Sequence, residues 1–369
     1  LHLSIRRQRQ MCIRDSVRIS QRTAEFLWQE GHTAHADAVE AKEHTQRTLE
    51  IYRAFAEEQA AMPVIAGEKP ENERFPGAEE TWSIEAMMQD GKALQAGTSH
   101  YLGTSFAEAS GIRYQDREGG QALAHTTSFG MSTRMIGGMI MTHGDDDGMR
   151  VPPALAPQQV VILPMLRDKP EDATLLDYCE GLRAAFAGQS ALGELVRVRL
   201  DDRPGKAAAK RWDWVRRGVP VIIEVGGRDM ENGTVTLIRR DDLWDAETGK
   251  LRMQGPTREL AGQTIGSVLE DIQHRMFVTA AERRDANITR GVTSLDGVRK
   301  FYAQGGEYPG WLEVQWAKPT GAALEQVEAQ LKDMKLTLRN VPADAAPADG
   351  SCIFTGEPAV ERVLVARAY

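Results

Sequence analysis

The chain has few cysteines, no long apolar run and no excess of positive charge, and each shortage removes a class of function. Three cysteines, Cys12, Cys179 and Cys352, are spread over 369 residues, too few and too scattered for a disulfide framework and suited to a reducing compartment. No apolar stretch approaches the roughly 20 residues that span a bilayer. A formal net charge of −8 argues against a protein held to nucleic acid by bulk electrostatics, so any such contact needs a local basic surface. With 41% hydrophobic and 27% charged residues, the composition is that of an ordinary globular protein, long enough for two or three domains with cores of their own. The expectation is a cytoplasmic protein with no membrane partner. No internal repeat is visible, and the biased tract "VPADAAPADG" reads as a loop.

The opening stretch "LHLSIRRQRQMCIRDS" is basic and aperiodic and lacks the apolar core of a signal peptide. "MCIRDS" looks like the translated end of a transposon tag used in preparing sequencing libraries, so residues 1–16 are expected to be an artefact, with a basic arm as the competing reading. From Val17 onward the chain divides into three parts. Residues 17–153 mix strand-like stretches ("RTAEFLW", "KALQAGTSHYLG", "GGQALAHTTSF") with the helical "HADAVEAKEHTQRTLEIYRAFAEEQ". A proline-marked linker, "VPPALAPQ", leads into residues 154–265. There "QVVILPML", "LVRVRL", "VPVIIEVG" and "GTVTLIRRD" read as strands, and "DATLLDYCEGLRAAFA" and "AKRWDWVRRG" as helices. Such alternation predicts a small α/β domain with a largely parallel sheet. Residues 266–369 open with a long helical stretch and end in "RVLVARAY".

Chemistry concentrates in the first part. "RTAEFLWQEGHTAHA" puts Phe26, Trp28 and Glu30 on one face of a strand by alternation. Two core aromatics with a carboxylate at the strand end would explain it, and so would a small cationic amine held by charge and ring faces. "DGKALQAGTSHYLG" sets Gln95, Thr98, Ser99 and His100 around Gly97, many hydrogen-bonding side chains for one short strand. In "GMSTRMIGGMIMTHGDD", Arg134 is the lone cation before an apolar helix in which Gly137 and Gly138 allow close backbone approach. A buried guanidinium there needs an anion, either a protein carboxylate or a bidentately bound phosphate. "HGDDDG" is most simply a solvated loop.

Taken together, these three stretches closely resemble the prolyl-tRNA synthetase family of class II aminoacyl-tRNA synthetases. The likeness continues through "VPPALAPQQVVILP" and "RDMENGTVTLIRRD" and covers nearly all of residues 18–369. It is to the group shared by archaeal, eukaryotic and some bacterial enzymes, in which a C-terminal extension replaces an inserted editing domain. The resemblance implies an α/β protein of three parts: a partial class II catalytic domain (17–153) with an antiparallel sheet and helices, an α/β anticodon-binding domain (154–265), and an α+β C-terminal domain (266–369). It implies a proline–tRNA ligase activity that joins L-proline to tRNA(Pro) through a prolyl adenylate, using ATP and Mg2+. Thr23 and Ala24 would meet the adenine through backbone groups and Phe26 would stack on it. Trp28, Glu30, Phe75 and His100 would line the proline pocket, and Gln95 and Thr98 would contact ATP. Ser132 would touch both substrates, and Arg134, the expected catalytic residue, would lie on the terminal phosphates. Glu224 and Arg228 would read anticodon bases, and Lys210, Arg211, Arg216 and Arg217 supply a local basic surface unless they are merely a solvated face. Gly227 stands where the family has proline.

Departures from the family set further expectations. Its motif 1, which builds the homodimer, the first strand of motif 2 with an Arg and a Glu, and a loop whose Thr and Glu read the proline amine have no match in these 369 residues. The polypeptide as written is therefore expected to be N-terminally truncated and unable to form prolyl adenylate at a useful rate. Many relatives bind zinc through four cysteines; here Cys352 has Thr355 in place of its partner and the other pair is missing from "GWLEVQWAKPTG". One cysteine cannot build a tetrahedral thiolate site, so no structural zinc is expected. The final "ARAY" resembles the family ending, whose tyrosine carboxylate approaches the active site.

Overall fold

A computed structural model describes residues 27–167, 169–304 and 309–369. Among them are two compact units, one of Gln59–Ala61 and His143–Thr279, the other of 27–58, Met62–Thr142 and Ala280–Tyr369. No helix among the described residues is long and apolar enough to cross a membrane.

The unit holding the N-terminal described residues is built on an antiparallel sheet. Its strands β1 (Trp28–His35), β2 (Val64–Glu68), β3 (Glu80–Met87), β4 (Ala93–Tyr101) and β5 (His125–Ser132) lie in the order β1-β5-β4-β3-β2. Helix α1 (Ala38–Ala54) begins at Asp37, whose side chain accepts from the Glu40 backbone N–H at 2.9 Å, an arrangement short acceptor side chains favour. Ala41, Thr45, Thr48, Leu49 and Tyr52 recur at helical spacing and are buried, a stripe that covers one face of the sheet. Through it Thr48 bonds Ser99 of β4 at 2.7 Å and Tyr52 donates to Gln29 of β1. The helix closes with a single π turn, Phe55–Gln59. After β5, helix α2 (Arg134–His143) lies close on β4: a Cβ on Gly138 would fall 2.8 Å from Leu94 Cδ2. This is the close approach that the glycine pair predicts.

The other unit contains β6 (Val160–Pro164), α3 (Asp172–Ala187), β7 (Val198–Leu200), α4 (Ala207–Arg216), β8 (Val221–Val225) and β9 (Thr236–Arg239). The sheet order is β7-β6-β8-β9, with the first three strands parallel and β9 antiparallel. Strands β6 and β8 are buried at every position, which requires cover on both faces. Val160 and Ile162 join Leu182, Phe186 and Leu269 in one core, while Val161 and Leu163 join Trp214 and Val215 in another. Helix α5 (Arg258–Ala286) starts before the Gly266 at which its pattern becomes apolar, because Ala261 and Ile265 already pack on the first of these cores. The "HGDDDG" tract is not a loosely solvated loop. Asp145 takes Arg240 Nη1 at 2.8 Å and Arg150 Nη2 at 2.7 Å, and Asp147 takes the Trp244 Nε1–H at 2.6 Å.

The remaining chain adds β10 (Ile288–Arg290), α6 (Leu295–Gln304), β11 (Trp311–Trp316), α7 (Gly321–Asp333), β12 (Thr337–Leu338), β13 (Val341–Pro342) and β14 (Glu361–Ala366). A mixed sheet of order β10-β11-β14-β12 carries helices against a core holding Trp316, Val327, Leu331 and Val363. The compact units do not break at 153/154 and 265/266. β13 pairs with β2 and Ala368 bridges Ala93, so residues after 280 form one unit with the first sheet. Meanwhile α5 carries core residues of the middle unit as far as Met276.

Candidate active site

The face of β3, β4 and β5 turned away from α1 forms the floor of a cavity of about 660 Å3. Strict alternation would send Gln95 and Thr98 to opposite faces. A β-bulge removes the conflict: Ile84 pairs with Gly97 while Glu85 pairs with Gln95, so Ala96 is the extra residue, which re-aims the side chains before it. Gln95, Thr98 and His100 therefore all line the cavity, opposite Glu85, Ser83 and Thr81 of β3. Gly97 faces α1 at the bend, where an added Cβ would lie 3.3 Å from Tyr52 Cδ2. Ser99 is buried on that same side, its hydroxyl donating to the Thr45 carbonyl at 2.9 Å, and is structural.

His100 is held at both ring nitrogens, Nδ1 at 3.0 Å from Thr81 Oγ1 and Nε2 at 3.1 Å from Thr98 Oγ1. Burial pushes its pKa down to about 4, so near pH 7 the ring is neutral, with one nitrogen donating and the other accepting; a hydroxyl can answer either. Its ring lies 5.2 Å from that of Phe75 at 43°, and Phe75 in turn stacks on Phe106 at 6.4 Å. Across the cavity, Trp28, Glu30 and His32 of β1 line the wall, with Glu30 Oε1 at 3.4 Å from His32 Nε2. Gly130 of β5 pairs with both Glu30 and Thr98 and lines the cavity between their strands. Trp28, Glu30, Phe75, Gln95, Thr98 and His100 are thus gathered at one cavity. Thr23, Ala24 and Phe26 lie outside the described residues.

Ser132 stands opposite Trp28, and its Oγ accepts the Arg134 backbone N–H at 3.2 Å. Arg134 opens α2 and is exposed, with Nη1 donating to the Gln95 carbonyl at 3.4 Å. No carboxylate lies within ion-pair distance of it among the described residues. The expected buried guanidinium is therefore corrected: water can satisfy Arg134, and its burial supplies no argument for an anion. The sequence reading missed Thr81 and Glu73 as cavity residues. Thr81 had a signal, since Thr81, Ser83 and Glu85 alternate with Trp82, Ile84 and Ala86, a polar face on a buried strand.

In the middle unit the basic helix is largely committed to its own domain. Lys210 is buried, with Nζ donating to the Asp201 and Arg203 carbonyls at 2.9 Å each. Arg211 pairs with Glu224 at 2.9 Å, and Arg216 and Arg217 are exposed but flank Asp213. The expected four-cation surface is reduced to two. Glu224 is 1% exposed; burial pushes its carboxyl up, with Arg211 pulling the other way. A base would have to displace Arg211 to reach it. Arg228 is exposed on the short helix Gly227–Asn232, where Asp229 accepts the Gly226 N–H at 2.8 Å and forms the turn without the proline.

In the C-terminal region Cys352 is buried in the hydrophobic core, 2% exposed. Tyr369 docks on the start of β4, its N–H donating to the Ala93 carbonyl at 3.2 Å and its hydroxyl bonding Asp90. Among the described residues no three His, Cys, Asp or Glu side chains gather as a metal site.

Residues 159–252, which include β6 to β9, match the family described as Anticodon binding domain. The chain is 66% identical over 353 residues to the proline–tRNA ligase of Erythrobacter litoralis, covering 96% of this chain and 69% of that protein. It is 61% identical to the proline–tRNA ligase of Novosphingobium aromaticivorans (96% and 68%) and 46% identical to that of Paramagnetospirillum magneticum (95% and 68%). Identity at this level over two thirds of the relatives' length, on a sheet that gathers six of the expected site residues at one cavity, has one reading: the chain belongs to the proline–tRNA ligase family of class II aminoacyl-tRNA synthetases.

Proposed function

We propose that the cavity over β3, β4 and β5 activates L-proline with ATP and that the prolyl group then passes to tRNA(Pro). The observation that carries this reading is the His100 cluster: a neutral imidazole between two threonine hydroxyls, against Phe75 and facing Glu30. The pyrrolidine ring of proline would lie against Phe75, Trp28 and the His100 ring, with the Glu30 carboxylate toward its amine. Gln95 and Thr98, on the same floor, face the nucleotide, and Ser132 lies at the junction. Thr23, Ala24 and Phe26 are proposed to hold the adenine. The carboxylate of proline attacks the α-phosphorus in line and pyrophosphate leaves. Little covalent work falls to the protein. Its side chains fix the carboxylate for attack, and Arg134 balances charge on the terminal phosphates. Mg2+ is expected to accompany the nucleotide and to supply charge neutralisation on its phosphates; among the described residues no three His, Cys, Asp or Glu side chains gather to hold it. Pocket size and ring contacts discriminate weakly against a small analogue such as alanine.

For tRNA, Arg228 is proposed to contact the anticodon directly, and Glu224 to hold Arg211 in place. The enzyme is further proposed to be cytoplasmic, to work as a homodimer and to need no structural zinc.

The 369-residue polypeptide by itself is proposed to form no prolyl adenylate at a useful rate, since the family's motif 1 and first motif 2 strand have no counterpart in it. The test is proline-dependent ATP–pyrophosphate exchange, run on this polypeptide and on a fused chain in which residues 17–369 follow the N-terminal part of the Erythrobacter litoralis ligase. Exchange from the fused chain alone is the expected result. Exchange from the short polypeptide overturns the proposed inactivity. A folded fused chain that binds tRNA without exchange overturns the catalytic reading in favour of a binding module.

A further inference from the structure

One buried ionic cluster, Glu85 with Lys69 and Arg339, does not line the cavity. Glu85 is fully buried, and its carboxylate takes Lys69 Nζ at 3.0 Å, Arg339 Nη2 at 2.6 Å, Arg339 Nε at 3.1 Å and the Ser83 hydroxyl at 3.1 Å. Lys69 and Arg339 are 2% and 6% exposed. Two cations outweigh the burial that would otherwise raise the Glu85 carboxyl, and hold it below the usual carboxylate range. Next to Arg339, Asn340 donates through Nδ2 to the Ile65 carbonyl at 3.0 Å and the Ser83 carbonyl at 3.3 Å.

The position of this cluster is what gives it meaning. Glu85 is the β3 residue opposite Gln95, at the register shift that turns Gln95 and Thr98 to the same face. Ser83 is the residue opposite Thr98. Glu85 at the bulge and Ser83 just before it are thus gripped by side chains from the segment between β12 and β13, which is itself fixed by backbone bonds from Arg339 to Leu364 at 2.7 Å and from Leu364 to Asn340 at 3.0 Å. A buried pair of this kind gains little net stability over apolar residues of the same volume, because desolvation offsets the attraction. It does fix β3 against Lys69 and Arg339, since moving β3 away from them would strand a buried carboxylate, and the bulge with Gln95 forms on a strand held in that place.

We propose that Arg339, with Asn340, is a positioning residue for the nucleotide half of the active site: it clamps Glu85 and so holds the β3–β4 bulge in the register that presents Gln95 and Thr98 to ATP. The proposal rests on the assignment of Gln95 and Thr98 to the nucleotide. The C-terminal region thereby completes the active-site floor from 254 positions away in sequence. His100 lies beyond the bulge and, besides Thr98, keeps Thr81 as a partner, so the proline half has one anchor that does not pass through the bulge.

The test has two readouts. In the full 369-residue chain, backbone amide exchange is followed for wild type, Arg339→Lys, Arg339→Met and the combined Lys69→Met/Glu85→Gln/Arg339→Met, which leaves neither a carboxylate nor an ammonium buried without a partner and is included in case Arg339→Met alone does not fold. Arg339→Met, or the combined variant if that one is unfolded, is expected to speed exchange of residues 95–98 by about tenfold or more while β11 and β14 stay as protected as in wild type. Arg339→Lys is expected to recover most of the protection. Unchanged exchange at 95–98, or loosening spread evenly over the C-terminal sheet, overturns the proposal and leaves Arg339 a stabiliser of its own region. In the fused chain, the same variants are expected to raise the KM for ATP by about tenfold with the KM for proline within about twofold. A rise in both together overturns the selective role. If the wild-type fused chain shows no exchange activity, it is the assignment of the site that fails, and the amide-exchange result still decides whether Arg339 holds the bulge.

Discussion

His100 sets a measurable dependence of stability on pH. Its imidazole takes a proton at about 4 in the folded protein against 6.5 for the free side chain, because the ring is buried, 9% exposed, between two hydroxyls. Between those two values the unfolded chain binds more protons than the folded one, so stability must rise with pH across the window. The neutral ring's contribution is whole above 6.5 and is lost as pH falls towards 4. At about 1.4 kcal/mol per pH unit of difference, the full loss is about 3 kcal/mol, and the loss at pH 5 relative to pH 8 is about 2 kcal/mol. That is a large share of a marginal folding free energy.

The assay compares wild type with His100→Asn, which keeps a polar partner for Thr81. Urea unfolding is measured at pH 5 and pH 8 and followed by amide exchange in peptides of β3 and β4, so that the middle unit does not enter the reading. Asparagine costs packing at both pH values; the quantity of interest is the slope. Wild type is expected to lose about 2 kcal/mol more than the variant between pH 8 and pH 5. His44, whose pKa burial also lowers, is present in both chains and cancels. Parallel curves would refute the reasoning, because they would mean that His100 takes its proton in the folded protein as easily as in the unfolded one.

Three further changes have expected outcomes. Arg134→Ala in the fused chain is expected to cut pyrophosphate exchange on the order of 10²-fold while moving the unfolding free energy by no more than about 0.5 kcal/mol, because the side chain is exposed. Arg211→Ala leaves Glu224 buried without its cation and is expected to destabilise the middle unit by about 3–5 kcal/mol, most of which the pair Arg211→Met/Glu224→Leu recovers in the same urea titration. Gly67→Ala would place a Cβ 2.2 Å from the Val341 carbonyl oxygen, so β2 and β13 must part; a loss of about 1–3 kcal/mol and faster exchange at Val341 are expected, and an unchanged urea midpoint would argue against that pairing.

Much of this architecture can be read from the sequence where one element carries its own signal. Helix α3 keeps the bounds of the stretch "DATLLDYCEGLRAAFA", and the buried runs around Val160–Pro164 and Val221–Val225 give the parallel strands. The strand at 93–101 stands out by its many hydrogen-bonding side chains, which are uncommon on a core strand, and three of them, Gln95, Thr98 and His100, line the cavity while Ser99 faces α1. Burial of individual charges is another matter. Arg134 looked buried because the helix it opens is apolar, yet it occupies the first position and faces out. Arg211 and Glu224 looked like separate surface charges, yet a helix and a strand bring them within 2.9 Å. Past Ile288 the signals are short strands whose partners lie far away in sequence, and β12 and β13 have only two residues each.

The bulge marks the boundary between what one strand can say about itself and what only a pair of strands can say. Alternation within "ALQAGTSHY" places Gln95 and Thr98 on opposite faces, and nothing in β4 alone corrects that. The correction comes from β3, where Thr81, Ser83 and Glu85 present an unbroken polar face, and from Lys69 and Arg339, which make a buried Glu85 tolerable. A carboxylate in the middle of a buried strand carries that warning in the sequence: it demands cations, and wherever those cations are anchored the register is anchored too. Glu85 thus demands two partners, Lys69 nearby and an arginine from elsewhere in the chain, and Arg339 answers from the C-terminal region behind the strand that pairs with the cavity floor.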